Sequence, residues 1–211
     1  MNTQEAKKVL ETALLCTHEA LSINDLKKLF NGSEESTEDV IDADAIARSV
    51  TAPHGAAMPA IVHTFGAAFV TAEGALNREH MRAHIFSQPQ AKQALEAIIH
   101  PLVAQETQQQ AQVAMANGHH TLVFDVPLLV EAGARWRAQV DRVLVVDCLE
   151  ETQIQRVMAR NGLSREAVQA IISAQASRKQ KLTAADWVIY NDGITLAALR
   201  ECVASLPIGS T

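Results

Sequence analysis

The apolar positions along this chain change period more than once. Near the N-terminus Ala6, Val9, Leu10, Ala13 and Leu14 recur at three- and four-residue intervals. That spacing predicts an amphipathic helix. Leu26, Leu29 and Phe30 carry a second helical pattern, with Ser22 or Asn24 as its cap. Residues 31–39, Asn-Gly-Ser-Glu-Glu-Ser-Thr-Glu-Asp, are polar and acidic and predict a linker or exposed loop. Beyond them short apolar runs alternate with helical patterns. Strands are predicted at 40–44, 122–124, 140–146 and 187–190. Helices are predicted at 45–50, through most of 59–118, and at 151–160 and 165–175. Asn161-Gly162 turns the chain between the last two, and Asn191-Asp192-Gly193 leads into a final helix. Strands alternating with helices predict an α/β layered fold with a parallel sheet.

Composition narrows the function classes. With 211 residues, 48% of them hydrophobic, the chain has room for one ordinary domain, or one with a small appendage. Charged residues make up 20%, as in globular rather than disordered chains. A net charge of −6 argues against general nucleic-acid binding, yet leaves room for a local basic site for a phosphorylated small molecule. No run of 18 apolar residues is present, so no membrane span is expected. The opening Met-Asn-Thr-Gln-Glu-Ala-Lys-Lys mixes charges of both signs, unlike a signal peptide. Cys16, Cys148 and Cys202 are odd in number and widely spaced. They fit reduced thiols in a cytoplasm better than a disulfide framework or a metal site.

Several residues could carry chemistry. In Ile41-Asp42-Ala43-Asp44, period-2 alternation puts both carboxylates on one face of a strand, at the end where parallel sheets bind ligands. Asp44 would equally cap the following helix. Arg48, Arg82 and His100-Pro101 lie in the helical stretch; Arg82 could be a solvated helix residue and His100 a helix-boundary cap. In the block Thr121-Leu-Val-Phe-Asp-Val-Pro-Leu-Leu-Val-Glu131, Pro127 ends the strand, because proline cannot donate to a ladder. Leu128 and Leu129 could simply pack in the core. Arg156, Arg160, Arg165, Arg178, Lys179 and Lys181 form a basic cluster, with Arg156 and Arg160 on one helix face. Such a run can also be a solvated surface.

His80 and His84 stand four apart without a third ligand at suggestive spacing, so no zinc site is expected. Gly-x-Ser-x-Gly is absent. No glycine is followed by lysine, so the phosphate-binding loop Gly-x-x-x-x-Gly-Lys-Ser/Thr is absent as well.

From about residue 40 to about 206 these motifs resemble dephospho-CoA kinase, the ATP-dependent enzyme of the last step of coenzyme A synthesis. The segments that carry the likeness are Ala45-Ile-Ala-Arg48, Met81-Arg-Ala-His-Ile-Phe86, Ile99-His-Pro-Leu102, the Pro127-Leu-Leu-x-Glu131 turn and Ala174-Gln-Ala-Ser-Arg178. The resemblance implies a P-loop-kinase-type fold, with MgATP and dephospho-CoA as substrates. It implies Asp44 as the carboxylate that deprotonates the ribose 3′-hydroxyl. Arg48, Arg82, His100, Pro127, Leu128 and Glu131 would frame the acceptor. Arg156, Arg160, Arg165 and Arg178 would belong to a mobile lid over the transferring phosphoryl group. Asn191 and Gly193 would form the adenine-side loop; Gly193 alone would be a turn residue.

Residues 2–30 resemble the start of chromosome segregation and condensation protein B. Together the two likenesses imply a division into 1–39 and 40–206, a missing central first strand, extra N-terminal helices and impaired or absent activity. A non-catalytic chimera, or a binding module whose opening segment recruits an unknown partner, is the alternative.

Overall fold

The structure is a computed structural model and describes residues 7–12, 38–131 and 133–207. Five strands form one parallel sheet: β1 (Lys7–Thr12), β2 (Glu38–Asp42), β3 (Thr121–Asp125), β4 (Arg142–Asp147) and β5 (Trp187–Tyr190), in the spatial order β2-β3-β1-β4-β5. Between them run α1 (Ala43–Val50), α2 (Met58–Phe65), a 3₁₀ turn (Ala67–Phe69), α3 (Arg78–Ser87), α4 (Pro89–Ala116), α5 (Ala134–Arg137), α6 (Glu150–Asn161), α7 (Arg165–Ser173) and α8 (Arg178–Ala184). A final helix, α9 (Leu196–Ala204), follows β5. The α/β class expected from the alternating pattern is therefore present.

Two compact units result. The sheet unit comprises the chain up to Asp42 and from Ala114 onward; the helical unit is Ala43–Val113. In the sheet unit Leu122, Val123 and Phe124 of β3 and Val143 to Val146 of β4 are buried at consecutive positions. Both faces of these strands are covered, which is why they read as continuous apolar runs rather than alternating ones. Val40, Val123, Leu144, Val146, Cys148, Ile189, Leu199 and Val203 make one core cluster, drawing β2, β3, β4, β5 and α9 together. A smaller cluster of Ile154, Val157 and Val168 joins α6 to α7.

The central strand corrects the helical expectation for the opening segment. Residues 7–12 lie in the middle of the sheet, with Val9 in register with Val123 on one side and Arg142 on the other. The first strand is not missing. Val9 and Leu10 satisfied a helical period, but a strand inserted between two buried parallel neighbours gains hydrogen bonds along both edges. Tertiary pairing overrides such a weak local pattern. The second predicted helix, the linker and the position of a phosphate loop after Thr12 fall on residues outside those described.

Another correction concerns the first carboxylates. The strand ends at Asp42, and Asp44 already lies in the first turn of α1. Asp42 and Asp44 thus do not share a strand face. Helix formation from Ala43 places Ala43, Ile46 and Val50 on one buried stripe, the 3.6 period that α1 satisfies and a strand would break.

Within the helical unit the chain turns sharply at Gly55. A Cβ there would meet the Val50 carbonyl oxygen at 2.3 Å, so only glycine fits this approach. Phe65 and Phe69 pack with His80 and His84 of α3; the Phe69 and His80 rings stack with centroids 4.4 Å apart. His100 does not mark a helix boundary. It lies, with Pro101, inside the 28-residue α4. Proline there lacks the N–H that would bond back to residue 97.

Candidate active site

In the sheet unit, the carboxyl ends of the strands carry acidic and amide side chains. Asp42 closes β2 and is in register with Asp125, which closes β3. Asp147 closes β4 in register with Tyr190 at the end of β5, and Asn191 follows. Asp125, Asp147 and Asn191 are buried. The strand order puts β1 between β3 and β4, and the chain continues to opposite sides of it. That is the topological switch point, where ligands bind to open parallel sheets.

Asp147 accepts a two-pronged bond from Arg178, with Nε at 2.8 and 3.1 Å and Nη2 at 2.5 Å. This pair ties the end of β4 to the first residue of α8 and raises the Arg178 pKa. Asp192 fixes the loop after β5 to α6. It accepts the Leu149 N–H at 2.9 Å and the Thr152 hydroxyl at 3.0 Å. The Leu149 N–H is the main reason its carboxyl titrates below the ordinary range. Partial burial, with the Asp192 charge beside it, pushes the Tyr190 phenol up. The Asn191 N–H bonds to the Asp147 carbonyl at 2.8 Å, and Gly193 turns with φ +68°.

The lid arginines expected from the sequence each have different surroundings. Arg165 forms a two-pronged pair with Glu151, at 2.6 and 2.9 Å, and holds that carboxyl at about 2. Arg160 donates to Asn161 at 2.8 Å, and Lys181 to Gln175 at 2.9 Å. Arg156 turns inward, away from the exposed Arg160, despite the four-residue spacing. Its Nε and Nη1 are buried without a hydrogen-bond partner among the described residues. Its positive charge is one of the influences that lower the Asp192 pKa.

In the turn after β3, Pro127 is partly buried, Leu128 is 50% exposed and Leu129 is buried. Core packing therefore explains Leu129 but not Leu128. Glu131 accepts the Ala176 N–H at 2.6 Å, joining this turn to the approach of α8.

In the helical unit, Asp44 and Arg48 form an ion pair one helical turn apart, both more than half exposed. Arg82 and His100 are exposed. Among the described residues no group of three or more His, Cys, Asp or Glu side chains could hold a metal ion. No helix of the described residues is long and apolar enough to cross a membrane.

A family profile described as dephospho-CoA kinase matches residues 30–196. The chain belongs to the dephospho-CoA kinase family. The dephospho-CoA kinase of Albidiferax ferrireducens is 58% identical over 160 residues, 76% of this chain and 75% of that one. The dephospho-CoA kinase of Burkholderia thailandensis is 56% identical over 167 residues, 79% of this chain and 80% of that one. Among solved structures, TT1252 from Thermus thermophilus superposes with a TM-score of 0.74 at 26% identity, covering 96% of this chain and 98% of that one. A dephospho-CoA kinase from Campylobacter jejuni gives 0.64 at 21% identity, covering 95% and 94%, which bears on the fold alone. The family profile begins at residue 30, and the described strand β1 (Lys7–Thr12) lies before it.

Sequence reasoning missed Asp147, Asp192 and Glu151 as anchors. Asp147 carried a signal: a carboxylate directly after the Val143–Val146 run stands at the ligand-binding end of a buried strand. Asp192 and Glu151 did not, because their partners are 40 and 14 residues away along the chain.

Proposed function

We propose that this chain retains the acceptor chemistry of a dephospho-CoA kinase and transfers the phosphoryl group only slowly. The family reaction forms a bond between the ribose 3′-oxygen of dephospho-CoA and the γ-phosphorus of ATP. The bond from that phosphorus to the β,γ-bridging oxygen breaks, ADP leaves, and the hydroxyl proton passes to a carboxylate. Asp44 is that carboxylate in this reading. It is exposed, it sits in the N-terminal turn of α1 directly after the β2 strand end, and its ion pair with Arg48 orients it. That placement carries the proposal, in a chain more than half identical to dephospho-CoA kinases over this segment.

On the acceptor side, Arg48, Arg82 and His100 supply cationic or hydrogen-bonding groups from the helical unit. Pro127, Leu128 and Glu131 supply the turn after β3. On the nucleotide side, Arg156 offers a buried guanidinium with two unsatisfied nitrogens, the environment in which charge stabilisation of a phosphate is strongest. Arg178 can reach phosphate only by leaving Asp147, and Arg165 only by leaving Glu151. Arg160, Asn191 and Gly193 complete the set. Magnesium enters as part of MgATP, and no protein ligand is assigned to it.

Slow transfer follows from the sequence. Backbone N–H groups of a glycine loop and its lysine position the phosphates and neutralise their charge. No glycine in this chain precedes a lysine. Losing both effects lowers rate by several orders of magnitude. In this reading residues 7–12 complete the kinase sheet, and residues 40–206 carry the substrate chemistry.

Coenzyme A formation from dephospho-CoA and MgATP, followed with the purified chain, tests the proposal. Slow turnover that disappears in Asp44→Ala is expected. Turnover typical of an unimpaired kinase would refute the impairment, and residual turnover unchanged in Asp44→Ala would refute the role of Asp44.

A further inference from the structure

Phe86 is 93% exposed, while no other large apolar side chain among the described residues exceeds 54%. A phenylalanine standing almost wholly in water is the informative exception to apolar burial. Its helix explains why it cannot turn inward. Asn77 caps α3 by accepting the His80 N–H at 3.0 Å, which fixes the start of the helix. The inward position is taken by Met81, 2% exposed, with the half-buried His84 against Phe65 and Phe69 and the exposed His80 stacked on Phe69. Arg82 and Phe86 are four apart on the outward face, with the small Ala83 beside them and Glu79 at its N-terminal end. Arg82, Ala83 and Glu79 are all exposed.

We infer that Phe86 is a stacking platform for the adenine ring of the acceptor nucleotide, with Arg82, one turn earlier, meeting the acceptor's phosphates. A flat aromatic face and a guanidinium about one helical turn apart match a purine joined through ribose to an anionic pyrophosphate. The inference rests on the acceptor reading above and adds a residue that reads the base rather than the reacting hydroxyl.

Calorimetric titration of the full chain with dephospho-CoA, and with 4′-phosphopantetheine as a probe lacking the base, tests it. Phe86→Ala should weaken dephospho-CoA binding about tenfold, the range for losing one base stack, and leave 4′-phosphopantetheine binding unchanged. Phe86→Tyr should restore affinity, and Phe86→Leu, which keeps apolar bulk without a ring, should not. Melting temperature should not move in any of the three, since the ring packs against almost nothing. If the wild-type chain binds dephospho-CoA and Phe86→Ala binds it equally well, the platform is refuted while the acceptor reading stands. If the wild-type chain does not bind dephospho-CoA, the acceptor reading falls and takes the platform with it.

Discussion

Val9→Pro probes the least expected feature of the fold, the strand at residues 7–12. Val9 is in register with Val123 of β3 and with Arg142 of β4, so it lies in a strand paired on both sides. Proline removes one N–H from that ladder, and its ring cannot be accommodated between two neighbours. An interior proline costs about 3 kcal/mol or more, against a total stability of about 5–15 kcal/mol for a domain. For a chain of this size that corresponds to a fall in melting temperature of about 6–12 °C. Urea unfolding followed by far-ultraviolet circular dichroism reads the same loss as a lower midpoint. Hydrogen exchange adds a local readout: amides of β3 and β4 should lose protection before those of α2 and α3. A variant that melts within about 1–2 °C of wild type would show that residues 7–12 are not the central strand.

Two further perturbations separate surface electrostatics from backbone geometry. Arg165 holds Glu151 at about 2, below its ordinary 4.5, so the pair's stabilisation is fully present above pH 4.5 and fades as pH falls toward 2. In melts across that window Glu151→Gln should lie below wild type at neutral pH, converge with it in acid, and converge also in high salt, because the pair is exposed. A gap that persists at pH 2 would point to packing instead. Gly162 caps α6 with φ +66° and has open space where a Cβ would stand. Gly162→Ala should therefore cost only the left-handed backbone penalty, about 1–2 kcal/mol by denaturant unfolding, and Gly162→Asn clearly less.

The contrast between strands that could be read and the one that could not has a physical basis. β3, β4 and β5 were legible because their apolar runs are contiguous and bounded by Asp125-Val-Pro127, Asp147-Cys148 and Asn191-Asp192. β1 was not. Lys7-Lys-Val-Leu-Glu-Thr12 contains only two apolar residues, and Ala6, Ala13 and Leu14 around them complete a helical period. What makes it a strand is its pairing with β3 and β4, more than 100 residues later, and no local pattern records that. The Asp42–Asp44 error has the same character at shorter range: alternation was visible, but the helix begins two residues earlier than the pattern suggested. The basic cluster was visible as composition. Its division into the Asp147–Arg178 pair, the Glu151–Arg165 pair and the buried Arg156 depends on long-range partners.

The most direct test is a thermal melt of the purified chain alone, with dephospho-CoA, and with MgATP. A ligand that binds only the native state raises the melting temperature in proportion to its saturation. The proposed acceptor chemistry, in a chain where no glycine precedes a lysine, predicts that dephospho-CoA raises a cooperative transition and MgATP leaves it nearly unmoved. A rise with MgATP equal to or larger than that with dephospho-CoA would mean that other residues cradle the phosphates, contradicting the slow-transfer reading.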